Sequence, residues 1–468
     1  MRQFQIPEED LRAVIAQGLS SGADYVDIYF EHSAITSVSI ISGGENRASQ
    51  NIDYGAGVRV VTGEKTGYAY TETITPQTLM AAVRQAARIS QGTSRNAVAP
   101  VLTAKTIKPL YYDNEGHSLQ PDGQSIMHLV EYLDQVRELL MQADSRIGGI
   151  NASIVHKIKR FAVVNSLGET SEEERPVTNL SVGCVITHEG RSERANESRS
   201  FLCGLDVLTS EMQKELCASI VSKLHFALTA RQPQGGEMQV VMGAGSSGVL
   251  LHEAIGHAFE ADFIRREESI FTDSLGKQIC DPSINVVDDG TLPQMRGSIH
   301  FDDEGVVSEC TSIVTEGRLT SFLHDRISAK HFGIAPTGNG RRESFRFMPV
   351  PRMRNTYMLS GKSKEEDLIA SVKKGIYVND LSNGQVQIGA GDYSFYVRSG
   401  YLIENGHLTQ PIKDVNIIGN GPQTLADIRG VADNLRIDPL TWQCGKAGQT
   451  CPVSCGMPSV LVEKLIVG

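Results

Sequence analysis

Two histidines and a glutamate lie within six residues of one another, in the segment 252–257, which reads HEAIGH. Imidazole nitrogens bind zinc, and a carboxylate beside them can take a proton from water, so this combination is typical of a hydrolytic metal site. The ordinary metalloprotease signature places its histidines four residues apart, on one face of a helix. Here His252 and His257 are five apart, and on an ideal helix their rings would point about 140° away from each other.

A wider local turn would bring the two rings back onto one face. A π-type turn joins residues five apart, and such turns are concentrated at functional sites. Gly256 would ease the distortion because glycine has the broadest backbone freedom. The spacing therefore predicts a π turn within 252–257. The competing interpretation is that both histidines are ordinary polar residues on a partly buried helix.

Two histidines need a third protein ligand to hold a catalytic zinc ion with one position left open for water. The cysteines near the C-terminus are spaced by seven and four residues, unlike the Cys-x-x-Cys pairs of structural zinc sites. A soft thiolate would suit zinc, and Cys444 lies in a glycine-flanked turn that could reach a metal. Cys451 and Cys455 are better interpreted as small apolar residues of a strand. The residue types alone leave these candidates open: Glu260, Asp262, His324, His331 and the three cysteines.

Two glycine-rich segments resemble nucleotide- or phosphate-binding loops, but each lacks a further feature that such a loop requires. The segment 243–248, GAGSSG, matches Gly-x-Gly-x-x-Gly, but the charged stretch 262–268 stands where a dinucleotide fold needs a second apolar strand. The segment 338–343 lacks the Lys-Ser/Thr of a phosphate loop. We interpret it as a tight turn whose Arg341 and Arg342 pair at the surface with acidic residues of the segment 302–304. The other interpretation is bidentate binding of a peptide's terminal carboxylate.

Composition limits the classes of function. The net charge is −11, from 44 basic and 55 acidic side chains, and no basic patch with interleaved aromatic residues is evident. Direct binding to nucleic acid is therefore not expected. The eight cysteines show no disulfide framework, and no apolar leader follows Met1, which predicts a reducing, cytoplasmic location. No run of eighteen apolar residues exists, so no membrane span is expected.

The predicted fold class is α+β, in two domains. The chain has 468 residues, of which 40% are hydrophobic, and the polar, turn-rich segment 231–236 is the predicted boundary. Residues 1–232 predict a mixed α/β domain with helices near 8–21, 76–90, 126–142 and 208–230, separated by β-prone runs. Residues 233–468 predict short strands with glycine-rich turns, hence a mainly antiparallel β domain, barrel-like or a sandwich, that carries the helix with the two histidines. The barrel-like form is the one predicted.

Six motifs occur in the order found in the TldD/PmbA family of metallopeptidases, also called modulators of DNA gyrase, and the chain resembles that family. The resemblance covers most of the chain and is strongest from about residue 236 to the end. The motifs are HEAIGHAFEAD at 252–262, DDGT at 288–291, FDDEG at 301–305, PTGNGRRES at 336–344, NTYM at 355–358 and CGK at 444–446.

The resemblance implies a function and a ligand set. In this family the active subunit carries His-Glu-x-x-x-His and a C-terminal cysteine, whereas its paralogue lacks them, so the chain is similar to the catalytic, TldD-like type. By that resemblance His252, His257 and Cys444 bind Zn²⁺, and Glu253 is the general base. The implied substrates are peptides or unfolded polypeptides that enter an enclosed cavity.

The resemblance also implies a dimer, either a heterodimer with a paralogous TldE/PmbA-type subunit or a homodimer. The N-terminal domain would help to form the partner interface and the cavity wall. An effect on gyrase would then be indirect, through proteolysis. The alternative function is a non-catalytic regulatory subunit that acts by contact on a protein partner, against which the complete set of His252, Glu253, His257 and Cys444 argues.

Overall fold

The computed structural model describes residues 4–42, 45–93, 96–107, 110–113, 119, 123–387 and 390–468. The fold is α+β with mostly antiparallel sheets, as predicted. The helices in these ranges are α1 Glu8–Ser20, α2 Pro76–Ser90, α3 Gly123–Ala143, α4 Ser210–Thr229, α5 Gly248–Leu251, α6 Ala261–Arg265, α7 Arg326–Phe332, α8 Glu365–Ser371 and α9 Gly421–Ala426.

The strands fall into two groups along the chain. Those before α4 are β1 Tyr25–Ile41, β2 Glu45–Thr62, β3 Lys65–Thr71, β4 Thr103–Ala104, β5 Ile147–Asn165, β6 Glu169–His188 and β7 Arg191–Phe201. Those after α4 are β8 Gly236–Met242, β9 Val286–Asp289, β10 Cys310–Thr315, β11 Arg318–Leu319, β12 Gly340–Arg341, β13 Val350–Pro351, β14 Asn355–Met358, β15 Lys374–Val386, β16 Asp392–Glu404, β17 His407–Ile412, β18 Val415–Asn420, β19 Ile428–Val431, β20 Arg436–Ile437, β21 Gln443–Lys446, β22 Gln449–Pro452, β23 Ser454–Met457 and β24 Val460–Val467.

The first seven strands form one sheet in the order β3-β2-β1-β5-β6, with β7 and the short β4 both paired to β6. Residues 25–30 and 37–41, two of the β-prone runs, belong to one strand, β1, which pairs with β2 and β5 along most of its length. Its first half packs under α1 and α2, through Val26 and Ile28. Its second half packs under α3 and α4, through Val38 and Ile40. One long strand therefore connects two separate apolar clusters.

The C-terminal region contains a closed five-stranded barrel, β15-β8-β24-β18-β16, in which β16 pairs back to β15. Only the β8–β15 pairing within it is parallel. Closure leaves the five barrel strands without an open edge between the first and the last, while β17 and β19 extend the sheet from β16 and β24. The barrel interior continues into the largest apolar cluster, which includes Val240, Ile376 and Phe395.

A second C-terminal sheet, in the order β11-β10-β9-β14-β23-β20, lies against the start of the histidine-bearing helix. The glycine-rich turn 243–247 connects β8 to α5, and α5 packs on β14 and β23. A Cβ on Gly248 would lie 2.5 Å from the backbone nitrogen of Gly456 in β23. This glycine therefore allows the helix to approach the strand closely.

Buried ion pairs join the N-terminal sheet to C-terminal loops. Arg59 on β2 contacts both Asp27 on β1 and, at 2.6 Å, Glu304, and the three side chains are at most 1% exposed. Arg175 on β6 pairs with Asp303 at 3.2 Å. Removing one partner of such a pair is strongly destabilising, because it leaves an uncompensated buried charge.

The segment between α4 and β8 is irregular, with one isolated bridge from Arg231 to Ile412. It coincides with the predicted boundary, and the division into 1–232 and 233–468 stays a prediction. Among the residues that the structure describes, no helix is both long and apolar enough to cross a membrane.

Candidate metal centre

The helix widens where the histidine spacing predicts it. Residues His252–Gly256 form a π turn, followed by a single 3₁₀ turn at His257–Phe259. The two imidazole rings consequently face each other, with their centroids 5.2 Å apart. The prediction of a π turn is confirmed.

The role of Gly256 differs from the one expected. Its φ of −58° is ordinary for a right-handed helix, so the turn does not draw on glycine's backbone freedom. A Cβ at this position would instead lie 2.4 Å from the sulfur of Met353. Gly256 is therefore required for space, since Met353 is fully buried beneath the π turn.

Cys444 completes, with His252 and His257, a group of three side chains that could hold a metal ion. The candidate ligand atoms of these three residues all lie within 4.8 Å of one another, and all three residues are buried. Cys444 is on β21, whose hairpin partner is β22, and its sulfur lies 3.4 Å from Nε2 of His257. The hairpin thus brings a residue nearly 190 positions away to the π turn.

The donor set suits zinc. Both ring nitrogens of His252 are buried and lack a hydrogen-bond partner within the described part of the chain, which is unfavourable unless a ligand is bound. Burial by itself would raise the pKa of the Cys444 thiol, but the imidazoles of His257 and His252 hold that pKa well below its ordinary value. One thiolate and two imidazoles are ligands that zinc prefers.

Glu260 supports the group from behind His257. Nδ1 of His257 donates to Oε2 of Glu260 at 2.9 Å, which leaves Nε2 of the ring for the metal side. Burial opposes ionisation of Glu260, yet Lys446 and His257 lower the pKa of its carboxyl to about 2. Lys446 Nζ lies 3.0 Å from Glu260 and 2.5 Å from Asp262. A carboxylate behind a ligating histidine is a common device for orienting the ring.

Two anions, Glu260 and the Cys444 thiolate, act on the pKa of His257. Burial lowers its pKa, but Glu260 and Cys444 outweigh that effect and raise the pKa well above its ordinary value. Because a ligating imidazole nitrogen must be unprotonated, binding of a metal would displace a proton from the ring.

Glu253 lies at the open side of the group. Its side chain is 31% exposed, and its Oε2 is 3.9 Å from Nε2 of His257. It does not belong to the clustered ligand atoms. A carboxylate in this position is free to contact a water molecule next to the metal ligands.

The other candidate ligands lie elsewhere. His324 is buried, with the ring of Phe332 at 5.6 Å, and burial lowers its pKa to about 4. His331 on α7 contacts Glu64. Cys451 lies directly opposite Cys444 in the hairpin, but burial raises its pKa and it is not in the group. Cys455 lies on β23, and burial also raises its pKa.

Two residues of the centre were not identified from the sequence. Lys446 stands two positions after Cys444 on the same strand, and that spacing puts both side chains on one face, so the CGK motif carried the signal. Arg352 donates to the Cys444 carbonyl, and nothing in the local sequence indicates that contact.

The prediction of surface pairing for Arg341 and Arg342 is wrong. Both side chains are only 2% exposed. Arg342 stacks over Tyr29 at 4.3 Å and donates to the Asp303 carbonyl, while Arg341 donates to the carbonyls of Met353 and Pro452. The turn is covered by the N-terminal sheet, which the local sequence cannot show.

Comparison with known proteins agrees with this geometry. Family models described as PmbA/TldA metallopeptidase domain 1, central domain and C-terminal domain match residues 26–90, 120–224 and 235–468. A metalloprotease TldD homolog of Haemophilus influenzae is 37% identical over 459 residues, covering 95% of this chain and 93% of that protein. A zinc metalloprotease TldD homolog of Saccharolobus solfataricus is 26% identical over 455 residues, covering 96% and 97%.

The fold is also that of a solved structure, TldE from Thermococcus kodakarensis. Its TM-score is 0.75 at 18% sequence identity, over 98% of this chain and 100% of that one. The family of the chain follows from three consecutive family models and from a relative that is 37% identical along nearly the whole length. The chain belongs to the PmbA/TldD family of metallopeptidases.

Proposed function

We propose that this protein is a zinc-dependent peptidase that hydrolyses peptides or unfolded polypeptides. The observation that carries the proposal is the buried group of His252, His257 and Cys444 with Glu253 at its open side. The names of the relatives, metalloprotease and in one case zinc metalloprotease, support the same function.

In this proposal His252, His257 and Cys444 hold the ion. Zinc bound there would supply a Lewis acid that activates water and polarises the scissile carbonyl. The Cys444 thiolate would partly offset the charge of the ion, while Glu260 keeps His257 in the tautomer that offers Nε2.

Glu253 is the proposed general base. Its partly exposed carboxylate can accept the proton of the attacking water and pass it to the departing amine. Glu260 is unsuited to that role, because it is fully buried and already bound to His257 and Lys446.

We further propose that the protein acts as a dimer in the cytoplasm. A solved structure with the same fold is a TldE, which supports pairing with a paralogous TldE-type subunit, although a homodimer would use the same surfaces. The eight cysteines are all free thiols, in keeping with a reducing compartment.

Metal content measured by elemental mass spectrometry tests the proposal. We expect near-stoichiometric zinc in the parent protein and in Cys451→Ala, and loss of zinc in Cys444→Ala and His257→Ala. Cys451 is the matched control because it is a buried thiol directly opposite Cys444. Peptide cleavage is then assayed with and without a TldE-type subunit. A folded parent protein that stays metal-free after zinc reconstitution would favour the non-catalytic regulatory function.

A further inference from the structure

A second cavity lies against the opposite face of the hairpin that carries Cys444. Side chains alternate between the two faces of a strand, so Gln443, Thr450 and Pro452 point away from Cys444 and Cys451. These three residues line a cavity of about 270 Å³, which the N-terminal sheet closes through Ile35, Val155 and Val177. The metal centre and this cavity thus share the β21–β22 hairpin as a wall.

The lining of this cavity is strongly cationic. Only two lining residues are acidic, Asp303 and Glu343. Three of the basic ones have carboxylate partners nearby: Arg175 with Glu173 and Asp303, Lys159 with Glu31 at 3.5 Å, and Arg342 with Asp27 at 3.8 Å. The basic lining residues are Lys157, Lys159, Arg175, Arg296, Arg341 and Arg342.

Arg296 and Arg341 are the two arginines of the lining that form no ion pair with a carboxylate in the part of the chain that is described. Arg296 is 4% exposed and donates to Asn179 at 2.7 Å and to the Trp442 carbonyl at 3.0 Å. Arg341 is 2% exposed, and both of its Nη atoms donate hydrogen bonds to carbonyl oxygens. Its Nε is buried and has no hydrogen-bond partner in the described part of the chain. Both guanidinium groups are therefore buried cations without an anion.

The two cations also repel each other. Burial and the nearby charge of Arg341 together lower the pKa of Arg296 to about 10, and burial lowers the pKa of Arg341. A buried charge is strongly destabilising unless it is paired, and a guanidinium binds planar or tetrahedral oxyanions through several N–H groups at once. A small oxyanion between the two guanidinium groups would stabilise both of them.

We propose that this cavity binds an oxyanion, a carboxylate or a phosphate, between Arg296 and Arg341. The volume fits a small anion or the last residue of a peptide, and is below the usual range for larger ligands. The oxyanion has two possible sources: a free anion in solution, or the C-terminal carboxylate of a peptide. The proposal requires neither zinc at the metal centre nor turnover.

Calorimetric titration of the full-length protein with sodium phosphate, against sodium chloride of equal ionic strength, tests the site. We expect one saturable phosphate site per chain, weakened at least 10-fold in Arg341→Gln and in Arg296→Gln. Arg429→Gln is the matched control, since Arg429 is an exposed arginine paired with Asp427 at 3.4 Å, and it should bind phosphate like the parent. Unchanged phosphate binding in Arg341→Gln would overturn the proposal.

The thermal midpoint of the parent protein gives a second measurement, which does not depend on how the variants fold. Phosphate should raise it above the value in matched chloride, and equal midpoints together with no calorimetric binding would also overturn the proposal.

Competition identifies the source of the anion. Displacement of phosphate by a short peptide with a free C-terminus, but not by its C-terminal amide, indicates a peptide carboxylate; displacement by neither indicates a free anion.

Discussion

Nδ1 of His257 donates a hydrogen bond to Glu260 at 2.9 Å, while Nε2 of the same ring lies 3.4 Å from the Cys444 sulfur. A buried carboxylate therefore fixes which nitrogen of the ring is available to a metal. Lys446 pairs with Glu260 and lies on β21, the strand that also carries Cys444. One strand therefore supplies the thiolate and the cation that positions the carboxylate behind His257.

Replacing Glu260 should weaken metal binding without removing a ligand. We expect Glu260→Gln to reduce zinc affinity by about 10- to 100-fold, because the ring loses the anion that orients it and raises its basicity. Competition with a chromophoric chelator measures the affinity. Asp262→Asn is the control, because Asp262 pairs with Lys446 and not with His257. Equal affinities in both variants would contradict this role of Glu260.

Replacing Glu253 should separate metal binding from turnover. We expect Glu253→Gln to keep its zinc and to lose about 10²- to 10⁴-fold in kcat, the usual contribution of a general base. Elemental analysis and peptide-cleavage kinetics on the same preparation give the two results. Cleavage at the parent rate would exclude Glu253 as the base, and loss of zinc would assign it a different role.

A methyl group on Gly256 should disturb the π turn. Alanine favours helices over glycine by about 1 kcal/mol, but its Cβ would meet the Met353 sulfur, and overpacking of this kind costs about 1–3 kcal/mol. We expect Gly256→Ala to lower the thermal midpoint and the zinc content, and Met353→Ala to restore part of both in the double variant. Gly445→Ala is the control, because nothing lies within 4 Å of a Cβ built there. Additive effects of the two substitutions would refute the clash.

Asp438 should make stability depend on pH. Burial raises the pKa of its carboxyl to about 6, although Trp442 donates to it at 3.2 Å. Because the folded protein holds this proton more tightly than the unfolded chain, the contribution is fully present below about pH 4 and is lost as the pH rises to about 6.

The matched variant is Asp438→Asn, which keeps an acceptor for Trp442 and cannot titrate. We expect the difference in thermal midpoint, parent minus variant, to fall between pH 4 and pH 6 and to stay constant above pH 7. Fluorescence of Trp442, the single tryptophan of the chain, follows the unfolding. A difference that rises with pH would contradict the direction of the shift.

The sequence predicted the local features of the centre and missed those that depend on distant partners. The five-residue spacing of His252 and His257 predicts the π turn because helix geometry is local. The burial of Arg342 was not predictable, because it stacks on Tyr29, which is more than 300 residues earlier in the chain and belongs to the N-terminal sheet. Cys444 was one of several candidates until the family resemblance singled it out. The short strands and glycine-rich turns indicated a barrel-like β domain, but not which strands pair to close the barrel.

The buried pairs of Arg59 with Asp27 and Glu304 bear on how this chain can be divided. A fragment that begins at residue 233 would keep Glu304 and Asp303 but lose Arg59 and Arg175, the cations that neutralise them. Removing the N-terminal sheet would separate these carboxylates from their cations and expose the surface that the sheet covers, a loss that is large beside the marginal stability of a domain. We expect residues 233–468 expressed alone to lack a cooperative thermal transition, whereas the full chain shows one. The first sheet then supplies counter-ions to the half of the molecule that carries the candidate metal centre, and we expect the whole chain to be the smallest unit that folds.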